Sequence, residues 1–432
     1  MLTVFPLAPQ RTDPNAPVFS QRSRAADPVA QRQDIDGLRG VAVLSLLAIH
    51  CFPSWAQGGS IGVDIFFVLS GYLITDGLLR AQREGGFSFR DFYVRRARRI
   101  LPALCLVLAA CLVFGVLFTS PGQAREIGRQ VGWAAMFVSN VVAWKAASPF
   151  ELAGSSNPLL HLWALATIVQ FYLIWPGVLA FVLRRQWNPL PLAGGLLAVS
   201  LAFNAGWVAD APAASYFLPF GCLWQLMAGA MLALWAQNRS DRPFSWLQAN
   251  DADPLRDQGS ASHLLSWAGL LFLMLAVLLA GHATQASAGW ALLPTLGTLA
   301  LLAAGPQGWV NHQVLSHPVL RFYGLISFPL VLWHWPLLSF PAVLGVPLTN
   351  DVRVIILIAS VVLAALTYEL VEKPLKSIQP KDEVPRASVV TLAVVGLLAW
   401  IVVYTDGLAA TYPESVRGAA PVMQSPAIGH VR

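Results

Sequence analysis

Long apolar blocks separated by short polar stretches dominate the chain. The blocks fall at about 40–54, 60–79, 100–119, 162–183, 190–209, 217–236, 264–281, 288–304, 325–346, 352–371 and 387–405. Each is near the ~20 residues that carry a helix across ~30 Å of hydrocarbon. A segment in that layer finds no water, so it must satisfy its own backbone, which a helix does. The alternating ten-residue pattern of a membrane β-barrel is absent from the blocks. The pattern therefore predicts an all-α, polytopic membrane helix bundle of about ten core transmembrane helices plus one C-terminal transmembrane helix. The first block is short and is expected to continue into the second through Cys51–Gly59.

The stretches between blocks complete the layout. Residues 1–33 are polar, with Pro and Arg but no apolar h-region, and read as a tail and not a cleaved signal peptide. A transmembrane domain over 34–380, a further transmembrane helix at 381–405 and a tail at 406–432 follow. Within 120–158, Val131–Trp144 is apolar enough for a helix lying in the membrane interface or dipping into it; 237–263 reads as a polar linker. Ser70 and Gly71, in mid-block, mark close helix packing.

Composition excludes a soluble globule. Hydrophobic residues make up 56% of 432 positions and charged residues 12%, against ~25% charged in a typical soluble domain. The net charge of +6 follows membrane topology and not nucleic-acid binding. With a cytoplasmic N-terminus, 22 of the 28 Lys and Arg fall on cytoplasmic segments, leaving Arg125, Arg129, Lys145, Arg353, Arg417 and Arg432 outside. Positive residues collect on the cytoplasmic side, so the N-terminus is expected inside and the C-terminus outside. Cys51, Cys105, Cys111 and Cys222 sit in or beside apolar runs without paired spacing and read as small buried hydrophobes.

A few polar residues interrupt the blocks. Arg39 and His50 are eleven positions apart, three helical turns plus about 20°, so both project from nearly one face about 16 Å apart along the axis. An ionisable group at His50's depth is a functional candidate by default; a neutral histidine hydrogen-bonded between helices is the plainer reading. Arg95, Arg96, Arg98 and Arg99 precede the third block. They suit a positive-inside anchor. Yet Arg96 and Arg99 share a helix face, and guanidinium forks suit a phosphate-rich ligand such as an acyl-CoA. Asp64 opens the second block, either as a helix N-terminal carboxylate or as the holder of a partner side chain.

These segments resemble the membrane acyltransferase-3 family. The likeness lies in Asp34-Ile-Asp36-Gly-Leu-Arg39, Arg39-x10-His50, Gly62-Val-Asp64-Ile-Phe-Phe-Val-Leu-Ser70-Gly71 and Phe92-Tyr-x-Arg-Arg-x-x-Arg99-Ile-x-Pro102. It continues in Leu160-His161-Leu-Trp163, Gln170-Phe-Tyr-Leu-Ile-Trp-Pro176, Leu332-Trp-His334-Trp-Pro336, Tyr368-Glu-Leu-Val-Glu372-Lys-Pro374 and Thr405-Asp-Gly-Leu408, covering about 33–415. The resemblance implies a bacterial inner-membrane O-acyltransferase. It would move an acyl group, mostly acetyl, from cytosolic acetyl-CoA to an extracytoplasmic or lipid-linked glycan. It places catalysis on His50 and Arg39 and donor binding on Arg96 and Arg99, with Asp36, Asp64, His161, His334 and Glu372 as supporting residues. No metal and no tightly bound cofactor is expected; acyl-CoA is a substrate. Membrane lipids surround the chain, nucleic acid is not a partner, and a separate extracytoplasmic esterase-like protein is an expected one.

The sequence also departs from the family. Where members read Trp-Ser-Leu-Ala-Val-Glu-Glu-Gln-Phe-Tyr, this chain has Trp163-Ala-Leu-Ala-Thr-Ile168-Val169-Gln170-Phe-Tyr172, without either carboxylate. Where they often read Arg-x-Trp-Glu, it has Cys222-Leu-Trp224-Gln225, and Ser327-Phe-Pro-Leu-Val331 replaces a more polar Ser-Tyr-Ser-x-Tyr. The lost carboxylates motivate one rival reading, a catalytically weakened relative that binds a glycan or a partner enzyme; a polar track through many spans also suits another, a transporter of a lipid-linked sugar.

Overall fold

The computed structural model of the protein describes residues 32–83, 88–146, 157–238, 259–279, 288–377 and 383–409. Within them the regular elements are helices, and every expected membrane block lies on one. In chain order these are α1 Gln33–Cys51, α2 Ile61–Arg83, α3 Phe89–Phe118, α4 Pro121–Ala135, α5 Ser139–Ala146, α6 Leu162–Arg184, α7 Pro189–Asp210, α8 Pro212–Phe217, α9 Pro219–Asn238, α10 Gly259–Leu279, α11 Ala288–Ala304, α12 Pro318–Leu325, α13 Ser327–Val343, α14 Asn350–Thr367, α15 Lys373–Ser377 and α16 Glu383–Tyr404. Eight helices are long and apolar enough to cross a membrane, and the bent pair α12–α13 makes a ninth. The other two expected spans are helices as well: α11 is shorter, and α1 carries Asp34, Asp36 and Arg39 in its first two turns.

Three boundaries differ from the expectation. The first block does not run on into the second: α1 begins seven residues earlier, at Gln33, and ends at Cys51, and a 3-10 turn at Gln57–Ser60 leads into α2. Pro53 is the reason, since a residue preceding proline is driven out of the helical region. The block at 325–346 is not one straight span but the C-terminal arm of a pair bent by 68° at Ile326. The apolar stretch Val131–Trp144 is likewise divided between α4 and α5 by a break at Met136–Val138, where Phe137 has a φ of 55°. Most of the expected linker, 239–258, and the tails at 1–31 and 410–432 lie outside the described residues.

Helices approach most closely where glycine removes the side chain. A Cβ on Gly71 of α2 would come within 1.8 Å of the Leu226 carbonyl oxygen, and one on Gly229 of α9 within 2.0 Å of that of Val68. The α2–α9 crossing is therefore a backbone-to-backbone contact, as the mid-block glycine predicts. The start of α1 is held the same way. A Cβ on Gly37 would meet the Leu315 oxygen at 1.7 Å, and one on Gly324 would meet the Asp36 oxygen at 1.8 Å.

Beside that contact lies a buried polar network. Asp34 pairs with Arg32 at 2.7 Å and accepts from Asn311 Nδ2 at 2.9 Å. Asn311 Nδ2 also donates to the Leu301 carbonyl, and its Oδ1 accepts from Ser266 Oγ. Asp34 is 2% exposed, so these bonds hold it inside the bundle. α16 packs along α3 and α4. Large apolar side chains such as Leu117, Ile174, Ile355 and Leu397 stay exposed on the outer faces, as hydrocarbon-facing helices require. All four cysteines are free and buried, as expected.

Candidate active site

α1 carries both ends of the site. Near its C-terminus, His50 Nδ1 lies 3.0 Å from His334 Nε2 of α13. The two rings are nearly parallel, with centroids 5.2 Å apart. The indole of Trp335 stands edge-on to His50, 4.6 Å between centroids. His161, at the N-terminal end of α6, packs T-shaped on His334 at 5.6 Å. Three imidazoles from three helices thus meet at one place. They do not converge as metal ligands, and no group of three or more metal-binding side chains occurs among the described residues.

Local structure fixes the members of this cluster. His334 is 1% exposed, and its Nδ1 reaches the carbonyls of Val331 at 2.8 Å and Leu330 at 3.1 Å. Pro336 has no N–H for the Leu332 carbonyl one turn earlier, and the Leu332 backbone interacts with His161. Neither ring nitrogen of His161 makes a hydrogen bond of good geometry. Trp335 Nε1 donates to the Asn157 carbonyl at 2.8 Å. At the end of α1, Arg353 of α14 donates to the Cys51 carbonyl at 2.6 Å, a cation where the helix dipole favours one.

The other end is cationic. Arg39 donates to Asp36 at 3.0 Å, one turn before it, and its side chain is 16% exposed. Arg96 of α3 lies over two aromatic rings, those of Phe92 at 5.5 Å and Tyr172 at 5.3 Å. Arg99 is exposed at the mouth. Arg39 is within electrostatic range of Arg99, Arg96 and Tyr172, so the structure brings the three arginines picked from sequence into one cluster. Like charges gathered on rigid helices cost energy that an anionic ligand would offset. Ser88 starts α3 by accepting from the Asp91 N–H, so the arginine run rides on the same rigid helix as Pro102.

Glu372 is buried in a π-helical turn, Tyr368–Glu372, that packs against α3. Tyr368 in that turn interacts electrostatically with both Glu372 and Asp36, which puts Glu372 beside the cationic end. Asp64 stands apart from both ends. It accepts from Gln225 Nε2 of α9 at 2.5 Å, the partner-holding reading of that residue. Cys222 and Tyr216 lie within electrostatic range of it. Cys222 stands where the family often has arginine, and Gln225 replaces the glutamate of that motif as a neutral partner for the carboxylate.

The missing pair of glutamates also has a structural account. Val169 is buried in the apolar cluster of α3, α4, α6 and α16, and Ile168 packs against that of α2, α6 and α9. Gln170, which remains, exchanges hydrogen bonds with Asn140 at 3.1 and 3.0 Å. Apolar residues fit both places without leaving a polar group unmatched. Trp335 and Arg353 escaped the sequence reading. The first sits in the same motif as His334; the second counts there only as an outer positive charge.

Comparison with known proteins shows the family. Peptidoglycan O-acetyltransferase OatA of Listeria monocytogenes is 29% identical over 358 residues, covering 79% of this chain and 55% of its own length. Putative peptidoglycan O-acetyltransferase YrhL of Bacillus subtilis is 33% identical over 366 residues, covering 79% and 54%. Putative O-acetyltransferase SACOL0978 of Staphylococcus aureus is 30% identical over 362 residues, covering 79% and 57%. The chain thus spans about half the length of these relatives. No solved structure matches. The acyltransferase-3 family model, described as an acyltransferase domain, matches residues 32–369, and with the arginine cluster, the histidine cluster and the helices that carry them inside that match, the chain belongs to the acyltransferase-3 family.

Proposed function

We propose that this protein is a membrane O-acetyltransferase that takes acetyl from acetyl-CoA on the cytoplasmic side and delivers it to a hydroxyl of an extracytoplasmic glycan of the peptidoglycan class. One observation carries the reading. An arginine cluster suited to phosphates and a histidine cluster suited to proton transfer stand at two ends of α1, on nearly one face and about 16 Å apart. A donor with a phosphate-bearing head and a long arm ending in a thioester has that shape. The head rests on Arg96, Arg99 and Arg39, and the thioester reaches His50.

The chemistry then balances. His50 takes the proton of the acceptor hydroxyl as its oxygen attacks the thioester carbonyl. The C–S bond breaks as the ester forms, and the departing thiolate recovers the proton. The relatives' printed names supply the acceptor class, and the excess of Lys and Arg at the arginine end supplies the sidedness. A bacterial inner-membrane location follows from the same two arguments.

Inside-out vesicles containing the protein, given acetyl-CoA labelled in the acetyl group, should transfer label to peptidoglycan precursors or strands. His50→Gln should lose on the order of 10²-fold in rate at an unchanged yield of folded protein. Glutamine keeps hydrogen-bonding capacity but cannot take up a proton near neutral pH. Near-normal transfer by His50→Gln would remove the catalytic role. No transfer by the unmutated protein would favour a glycan-binding relative instead, the reading that the apolar residues at Ile168 and Val169 motivate.

A further inference from the structure

We infer that His334 is a positioning residue that selects the tautomer of His50, and so makes Nε2 of His50 the atom that takes the acceptor's proton. This rests on the reading of His50 as the base and adds the residue and the atom that the reading leaves open.

The argument is one of donors and acceptors. His334 Nδ1 faces two backbone carbonyls, those of Val331 at 2.8 Å and Leu330 at 3.1 Å. A carbonyl oxygen only accepts, so Nδ1 of His334 carries a proton. In the neutral ring the other nitrogen, Nε2, then presents a lone pair. That lone pair lies 3.0 Å from His50 Nδ1, so His50 must hold its own proton on Nδ1. Its Nε2 is left as the unprotonated nitrogen. His334 thereby fixes both the ring orientation and the tautomer of His50.

The titratable group acting on His50 is His334, and His161 senses both of them. The indole of Trp335 closes another side. Arg353 comes near on α14 but is committed to the Cys51 and Leu348 carbonyls. Among these groups there is no carboxylate to hold an imidazolium. The backbone of α13 thus acts through His334 on the catalytic ring, as a carboxylate does in a hydrolase triad.

The test reads the tautomer directly. The full chain, labelled with ¹⁵N-histidine in lipid nanodiscs, should show His50 protonated at Nδ1 and bare at Nε2, with His50→Gln identifying the signals. In His334→Phe that preference should be lost. The turnover number should fall about 10–100-fold, with KM for acetyl-CoA within about twofold. His334→Gln, whose amide oxygen can accept from Nδ1, should recover part of the turnover at a near-normal tautomer. A general packing role would not move the tautomer or separate turnover from KM. An Nε2-protonated His50 in the unmutated protein overturns the inference, and so does an unchanged tautomer in folded His334→Phe. The expected tautomers in a protein that transfers no acetyl would support the positioning role and count against the acetyltransferase reading alone.

Discussion

Arg96 and Arg99 share a helix face but hold their guanidinium groups differently. Arg96 lies over the rings of Phe92 and Tyr172, whereas Arg99 is exposed. A planar cation stacked on aromatic rings keeps its geometry without a ligand, and lysine cannot reproduce that. Arg96→Ala and Arg99→Ala should each raise the apparent KM for acetyl-CoA while the protein still inserts and purifies. Arg96→Lys should behave nearly like the alanine variant, and Arg99→Lys should stay close to the unmutated value. Equal effects of the two lysine substitutions would show that charge alone matters at this end. Steady-state kinetics on purified protein at fixed salt would decide it.

The element that organises the site is α1, whose register rests on contacts at its first turns. Gly37 and Gly324 allow the backbone of α1 to touch that of the Val310–Leu315 turn and of α12. The Asp34 carboxylate joins Arg32 to Asn311 at the same level. Asp34→Ala takes away the carboxylate shared by Arg32 and Asn311, leaving them the Leu302 and Leu301 carbonyls, a loss of buried hydrogen bonds that typically costs ~1–3 kcal/mol. It should lower the thermal midpoint in detergent by several degrees and reduce transfer through misplacement of α1. Gly37→Ala should do the same by steric overlap. Asp34→Asn, which retains one acceptor oxygen, should be milder. A midpoint unchanged in all three would mean that α1 is positioned from its other end, by Arg353 and His334.

Across the whole molecule, the distribution of charge and of exposed apolar surface sets orientation. The arginine end of α1 and the start of α3 form one end of the bundle, and the histidine cluster lies toward the other. If positive residues fix the first as cytoplasmic, a reporter active only outside the cell should be active when fused after Arg432 and silent when inserted near Gln248. The opposite pattern would place the donor site outside, where acetyl-CoA is absent, and would overturn the sidedness of the proposal. α16, beyond the family match at 32–369, packs on α3 and α4 within it, so cutting it away should destabilise the helix that carries Arg96 and Arg99.

Much of this was written in the sequence. Hydropathy blocks long enough to cross a bilayer force helices because a backbone in hydrocarbon has no other partner, and every block lies on a helix. Helical periodicity put Arg39 and His50 on one face, and the short motifs marked the residues that the bundle gathers. Tertiary structure decided what periodicity along one helix cannot encode. The approach of α13 makes His50 a hydrogen-bonded ring and not an isolated one, and the approach of α9 gives Asp64 its partner in Gln225. The bend at Ile326 and the split between α4 and α5 were hidden because hydropathy averages over a window and does not register a single break in the backbone. Sequence determines which side chains a helix can offer along its own face; which of them meet is set by how neighbouring helices cross, and that depends on contacts between residues as far apart as His50 and His334.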